Sequence, residues 1–367
     1  MSIRKITFTF LLALLVAGAS LAQTPPFTRT VIVNNTGVPA TDGAALLAAV
    51  AGLSPTPSFT NRWEIKLETG IYDVGSSPVV IPSYVNLTGS GVTRTSVKGS
   101  FGPPPGFLIG GVVQVASNSE IRNLTIECQS VAGTQESCQA LSIDSGNPRL
   151  SNMHINVYGT GTGSHWGIRT FDAVPVIDDI EIVVDADSGF DMYGIVYGGD
   201  SAINMNRSSI VVRDGSSKNW AIVIKENLGW SVLREVNIDA VGGTSAAGIA
   251  YLSASTTNIL QLDDCRVLAY SGSSFSRALH DDTQWGAPRI FVRGGRLYGQ
   301  SEGVYLPTAD VTVSNSEILT NGADNLLANI AKVSSSWLRN GTVTGLTNET
   351  CAGVTDASIT FLTSTCP

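Results

Sequence analysis

The sequence predicts an all-β chain wound as a right-handed parallel β-helix of about ten coils, with a short capping helix near its N-terminus. Three observations predict it. A small residue followed by an aliphatic one recurs at Ala140-Leu141, Gly167-Ile168, Gly194-Ile195, Ala221-Ile222 and Gly248-Ile249, each 27 positions after the last. A second column alternates with period two further along each unit. An Asn or Asp stands just before that second column in unit after unit.

The small–aliphatic column continues at Ala278-Leu279 and Gly303-Val304, with spacings of 30 and 25. Repetition at a fixed period in the high twenties is the mark of a stacked architecture. The second column reads Met153-x-Ile155-x-Val157, Ile180-x-Ile182-x-Val184, Ser208-x-Ile210-x-Val212, Val236-x-Ile238-x-Ala240, Cys265-x-Val267-x-Ala269 and Ser316-x-Ile318-x-Thr320, and Leu124-x-Ile126-x-Cys128 begins it. Alternation of this kind belongs to a strand with one buried face. Two or three short strands per unit cannot bury their apolar faces alone. Stacked as successive coils, they pair in parallel with their equivalents and fill one long core. Helical repeats would need apolar spacings of three and four, which these columns lack.

The polar residues before the second column are Asn123, Asn152, Asp179, Asp264, Asn315 and Asn340. Asn and Asp tolerate left-handed backbone, so they suit a tight turn repeated in each coil as a polar ladder. This pattern resembles the pectate-lyase-like β-helix superfamily over most of the chain. The resemblance implies the fold. It carries no catalytic residue across, because the polygalacturonase-like N-T-D, D-D, G-H-G and R-I-K pattern is absent. The pectin-methylesterase-like Q-D-T-L and D-F-I-F-G strings are absent too, and Asp282-Thr283-Gln284-Trp285 matches neither.

The ends are read separately. Arg4 and Lys5, the apolar run Ile6 to Ala17 and the small residues up to Ala22 predict an export signal over residues 1–22. The expected protein is therefore secreted, extracellular or periplasmic, with no membrane span in its mature chain. Residues 23–60 are expected to form a cap region, with Asp42 capping a helix that runs to Leu53 and plugs the core. Residues 61–345 would form the β-helix and 346–367 a disulfide-clipped tail. Of the five cysteines, Cys128 with Cys138 and Cys351 with Cys366 would close short loops, although spacing leaves the connectivity open. Cys265 falls at an inward position of the second column and is expected to be packed and inert.

Composition narrows the partners. The formal net charge of −8 argues against nucleic acid, whose phosphates require clustered Lys and Arg. It leaves room for a local basic patch. Three scattered histidines, with no close Cys/His set, carry no zinc signature, and no cofactor is expected. Calcium through Asp side chains has nothing in the sequence to support it.

Outward positions of the first column are Ser142 and Asp144, then Arg169 and Phe171, then Lys225, then His280 and Asp282, then Tyr305, with Asp172 and Glu226 just beyond. Stacked on one elongated face, such residues suit a chain of sugars. The densest group is Arg277-Ala278-Leu279-His280-Asp281-Asp282, with Trp285 close behind. Paired carboxylates cleave glycosides and histidine moves protons near neutral pH. Asp281, Asp282 and His280 are therefore the candidate catalytic residues. Lys225, Arg169, Tyr305 and Trp285 are the candidate substrate-binding residues. Asp178-Asp179 and Asp263-Asp264 precede inward strands and read as turns. His154 is expected to face solvent, and His165-Trp166 to close a loop tip. The function expected is a monomeric polysaccharide-binding protein, with glycan cleavage as lyase or hydrolase. The competing readings are a non-catalytic glycan-binding or adhesion protein, and a structural rod.

Overall fold

A computed structural model describes residues 27–102, 110–133, 136–187, 189–227, 229–254, 258–282, 288–322, 324–340, 342–352, 354–355 and 361–362. The chain is a parallel β-solenoid with one helix, Pro39–Ala51, among the described residues. Its strands stack in three ladders. The first starts at Arg29–Val33, Trp63–Leu67 and Val85–Thr88, and the second at Gly70–Gly75 and Thr95–Gly99. The third runs through Val79–Ile81, Val113–Val115, Cys138–Ile143, His165–Phe171, Asp191–Gly198, Lys218–Asn227, Ser245–Ala254 and Phe275–Asp281. Long strands such as Arg149–Gly159 and Val176–Ala186 serve the first ladder with one half and the second with the other.

The small–aliphatic column is one line of direct partners on the third ladder: Leu141, Ile168, Ile195, Ile222, Ile249, Leu279 and Val304. All seven are buried in the core. The uneven spacings around Ala278 and Gly303 leave this line in register, because the extra or missing residues fall in the connections. The second column forms another such line, Ile126, Ile155, Ile182, Ile210, Ile238, Val267 and Leu297. Each fully buried aliphatic side chain contributes about 1.5–3 kcal/mol, and stacking gives every one of them neighbours above and below.

The turn before the second ladder has left-handed backbone in coil after coil: Asn123, Asn152, Asp179, Arg207, Glu235, Asp264, Gly294, Asn315 and Ser335 have φ between 42° and 58°. Asn152 Nδ2 donates to Asn123 Oδ1 at 2.8 Å, which is the polar ladder's best-formed rung. Asn340 is a correction. It follows the strand Trp337–Arg339, at the next corner, and Ser335 holds the position assigned to it.

About eight turns are regular, against the ten expected. The difference lies at the ends, where the windings before Glu120 have short strands and the last described pairing, Val354 with Leu362, is antiparallel. At the N-terminal end the helix lies over the core with Leu46 fully buried. A Cβ on Gly43 would collide with the Asp73 carbonyl oxygen, so only glycine allows this approach. The helix starts earlier than expected, with Val38 at its N-cap and Pro39 in the first position, where its missing N–H costs nothing. Asp42 is not the cap. It accepts hydrogen bonds from the Thr36 backbone N–H at 2.9 Å and the Thr36 hydroxyl at 2.6 Å, holding the entering chain. The Thr36 hydroxyl keeps the Asp42 carboxyl below its ordinary range, against the opposing effect of burial.

Cys128 and Cys138 form a disulfide. Cys351 is also disulfide-bonded, and Cys366 lies outside the described residues. Cys265 is free and buried, with its thiol pushed up to about 11 by burial. The export segment, residues 1–22, also lies outside the described residues. No helix among the described residues is long and apolar enough to cross a membrane.

Candidate functional site

The outer face of the third ladder concentrates the chemistry. Two rows of side chains face outward there, one on each side of the small–aliphatic step. One row reads Trp166, Tyr193, Trp220, Ala247, Arg277 and Glu302. The other reads Ser142, Arg169, Val196, Val223, Ala250, His280 and Tyr305. Counting outward from the aliphatic step finds only the second row. The first, one residue before each small residue, carries the large aromatics.

Rings run along this face as a spine. Trp166 stacks with Tyr193 at 6.3 Å between ring centres, and Tyr193 meets Trp220 edge to face at 6.3 Å. Trp220 meets the His280 ring at 5.9 Å, and His280 lies 4.3 Å from Phe275 and 6.2 Å from Tyr305. Trp220, Val223, Ala247 and Ala250 form a buried apolar cluster separate from the main core, flanked by Tyr193, Val196 and Phe275. Three cations lie on the spine. The Arg169 guanidinium is 5.5 Å from the Trp166 ring centre, Lys218 Nζ is 4.4 Å from that of Trp220, and the Arg277 guanidinium is 3.7 Å from that of Tyr305. Burial lowers the Arg169 pKa.

His280 is 3 % exposed and packed within this spine. Arg277 Nη1 donates to its Nδ1 at 2.9 Å, and Arg277 also pairs with Glu302 at 2.9 Å. Arginine has no acceptor, so the imidazole is neutral with its proton on Nε2. Burial, then the charges of Arg277 and Lys218, pull its pKa down to about 3. An imidazole so enclosed resists taking up a proton near neutral pH.

Asp281 and Asp282 do not join it. Strand alternation turns Asp281 inward, in line with Tyr251 on the preceding coil. It is buried and accepts a hydrogen bond from the Thr308 hydroxyl. Asp282 is exposed, beyond the strand's end. His280 and Asp281 thus point to opposite sides of the strand, and Asp282 lies past its end. Of the binding candidates, Arg169 and Tyr305 stand on the spine, Lys225 is exposed further along its strand, and Trp285 lies outside the described residues.

One other reading shifts, that of His165-Trp166, while His154 faces outward as expected. Trp166 is a strand residue on the spine, and His165 beside it is fully buried, with Nε2 2.9 Å from the Ser130 hydroxyl. His154 is partly exposed, 3.9 Å from Glu181, in a groove of about 740 Å³ that also presents Asn152, Asp179, Arg207 and Asn237.

At the N-terminal end of the spine lies a smaller pocket of about 220 Å³, lined by Val80, Pro82, Gln114, Ser142, Asp144 and Ser145. Ser142 is 3 % exposed, and its hydroxyl has no hydrogen-bond partner among the described residues. Burial, and then the charge of Asp172 on the next coil, raise the Asp144 pKa. Asp172 Oδ1 accepts a hydrogen bond from the Asp200 backbone N–H at 2.9 Å. Asp144 and Asp172 are 28 residues apart, so no adjacent-pair motif marks them. The coil period itself is the signal that brings them together. Among the described residues, no group of three His, Cys, Asp or Glu side chains is placed to hold a metal ion.

No protein-family model matches the chain, and no curated protein matches it in sequence. Solved structures do match in shape. The Dettilon tailspike protein gp208 superposes with a TM-score of 0.55 at 13 % identity, over 85 % of this chain and 62 % of that one. The chain thus spans less than two thirds of the tailspike's length. Pectin methylesterase PemA from Erwinia chrysanthemi aligns with a TM-score of 0.37 at 13 % identity, over 79 % of this chain and 89 % of that one. The A-module of the Azotobacter vinelandii mannuronan C-5 epimerase AlgE4 aligns with a TM-score of 0.37 at 12 % identity, covering 84 % and 92 %. The protein has the right-handed parallel β-helix fold.

Proposed function

We propose that the outer face of the third ladder binds a polysaccharide laid along the solenoid axis. The observation that carries this reading is the spine Trp166, Tyr193, Trp220, His280 and Tyr305, in which each ring lies within 6.3 Å of the next. The partly exposed rings of Trp166, Tyr193 and Tyr305 offer apolar faces to the C–H faces of sugars, while Arg169, Lys218 and Arg277 offer donors to hydroxyl and acidic groups. Coils spaced about 4.8 Å apart present such contacts at nearly the pitch of a sugar chain. A setting outside the cytoplasm fits this reading, because the Cys128–Cys138 disulfide persists in oxidising surroundings. The test is retardation of the protein in gels containing neutral or uronate polysaccharides. Retardation by at least one polymer, lost in Trp166→Ala and Tyr193→Ala, supports the reading. No retardation across the panel removes it.

A second reading, cleavage of the bound chain, is favoured by the Asp144 pocket. A carboxyl whose pKa is raised is suited to donate a proton to a leaving oxygen, and the unpartnered Ser142 hydroxyl lines the same pocket. Reducing ends released from the retarding polymer, and abolished in Asp144→Asn with retardation intact, would support it. Unchanged release in that variant would place any cleavage elsewhere.

A further inference from the structure

We infer that the polysaccharide recognised along this face is acidic, with one negative charge on every second sugar. This rests on the glycan-binding reading above and adds a charge pattern to it. On this face the cations that sit on rings are Arg169, Lys218 and Arg277. Their strands are His165–Phe171, Lys218–Asn227 and Phe275–Asp281. One strand lies between each pair, first Asp191–Gly198 and then Ser245–Ala254. The cation–ring pairs therefore recur every second coil.

The coils in between offer no positive charge at the matching outward positions. Asp191, Tyr193 and Val196 occupy them on one strand, and Ser245, Ala247 and Ala250 on the other. Asp191 is itself an acid, with its carboxyl accepting hydrogen bonds from the Tyr193 hydroxyl and the Lys218 backbone N–H. A sugar charge placed over that coil would meet repulsion.

The spacing sets the ligand. The Trp166 and Trp220 rings, over which Arg169 and Lys218 sit, share one column two coils apart, about 9.6 Å. A hexopyranose linked across its ring advances a chain by about 5 Å, judged from single-bond lengths near 1.5 Å, so two sugars advance it by about 10 Å. Alternate sugars thus fall opposite cation–ring pairs, and the sugars between them fall opposite uncharged or acidic coils. A carboxylate or sulfate on the alternate sugar accepts charge-assisted hydrogen bonds from the cation. Arg277 shares its charge with Glu302.

The test is affinity electrophoresis of the full chain through gels holding one of three polymers: hyaluronate, charged on every second sugar; polygalacturonate, charged on every sugar; and neutral hydroxyethylcellulose. Hyaluronate should retard the protein most, and added salt should weaken the effect. Arg169→Gln and Lys218→Gln should each weaken hyaluronate binding by roughly fivefold, the upper range for a part-exposed ion pair. Lys332→Gln, exposed on the first ladder, should leave it unchanged. Polygalacturonate binding as tightly as hyaluronate would overturn the alternation. Equal binding to hydroxyethylcellulose, untouched by the two charge variants, would overturn the acidic ligand and leave the glycan reading standing. No retardation by any polymer would remove both.

Discussion

Trp220 and His280 meet edge to face at 5.9 Å although a whole coil lies between them. Ala247 and Ala250 occupy that coil at the two matching outward positions, and their methyl groups leave the space the rings need. The result is a histidine enclosed by Trp220, Phe275 and Tyr305 beside the guanidinium of Arg277.

That enclosure predicts a loss of stability in mild acid. The folded pKa of about 3 lies below the ordinary value of 6.5, so the stabilising difference is complete above pH 6.5. As pH falls from 6.5 toward 3, the unfolded chain takes up a proton that the folded chain refuses. Stability then drops by up to about 1.4 kcal/mol per pH unit from this group. The melting temperature of His280→Gln should fall less steeply between pH 6.5 and 4 than that of the wild type. Parallel slopes would mean that His280 is protonated in the folded state.

Tyr251 is wholly enclosed in the core, and its hydroxyl has no hydrogen-bond partner among the described residues. A buried hydroxyl without a partner costs about 1–3 kcal/mol in lost hydration. Tyr251→Phe should therefore raise the denaturant midpoint, or leave it unchanged, with no change in slope. A drop of more than about 1 kcal/mol would show that the hydroxyl is satisfied in solution, for instance by an internal water.

Asp179 is exposed and has a φ of 58° at the repeated turn. Left-handed backbone costs an ordinary L-residue about 1–2 kcal/mol and a glycine almost nothing. Asp179→Val should lower stability by about that amount in urea unfolding, and Asp179→Gly should stay within about 0.5 kcal/mol of the parent. Equal losses in both would assign the aspartate's role to its side chain.

The Cys128–Cys138 disulfide spans a sequence separation of 10. Loop-closure entropy for so short a loop amounts to about 2.5 kcal/mol. The double variant Cys128→Ser, Cys138→Ser should be destabilised by about that much in guanidinium titrations. A larger loss would measure the added cost of burying serine hydroxyls where two inward-facing sulfurs had been.

The repeat was legible because a coil's inward side chains obey two short-range rules, alternation along the strand and recurrence at the coil period. Leu141, Ile168, Ile195, Ile222 and Ile249 show both in one dimension. The turn before the second ladder was legible where Asn or Asp fills it, at Asn123, Asn152, Asp179, Asp264 and Asn315. It was invisible at Arg207, Glu235 and Ser335, whose side chains do not advertise left-handed backbone.

The candidate site was legible only in part. Arg169 and Tyr305 lie in the outward row that counting from the aliphatic step assigns them. Asp281 and Asp282, adjacent in sequence, looked like an acid pair, but neighbours along a strand point to opposite sides and the inward one went to the core. Asp172, whose charge helps raise the Asp144 pKa, stands one coil away from it.

By itself, then, the sequence determined the winding of this protein, because burial of a periodic apolar face is decided by local pattern and repeated in every coil. Only the tertiary structure decided which outward side chains meet. Those meetings occur between coils, across about 5–10 Å of stacked backbone and some 25 to 60 residues of chain. Whether Trp220 reaches His280 depends on the size of Ala247 and Ala250 between them, a packing relationship that no single strand contains.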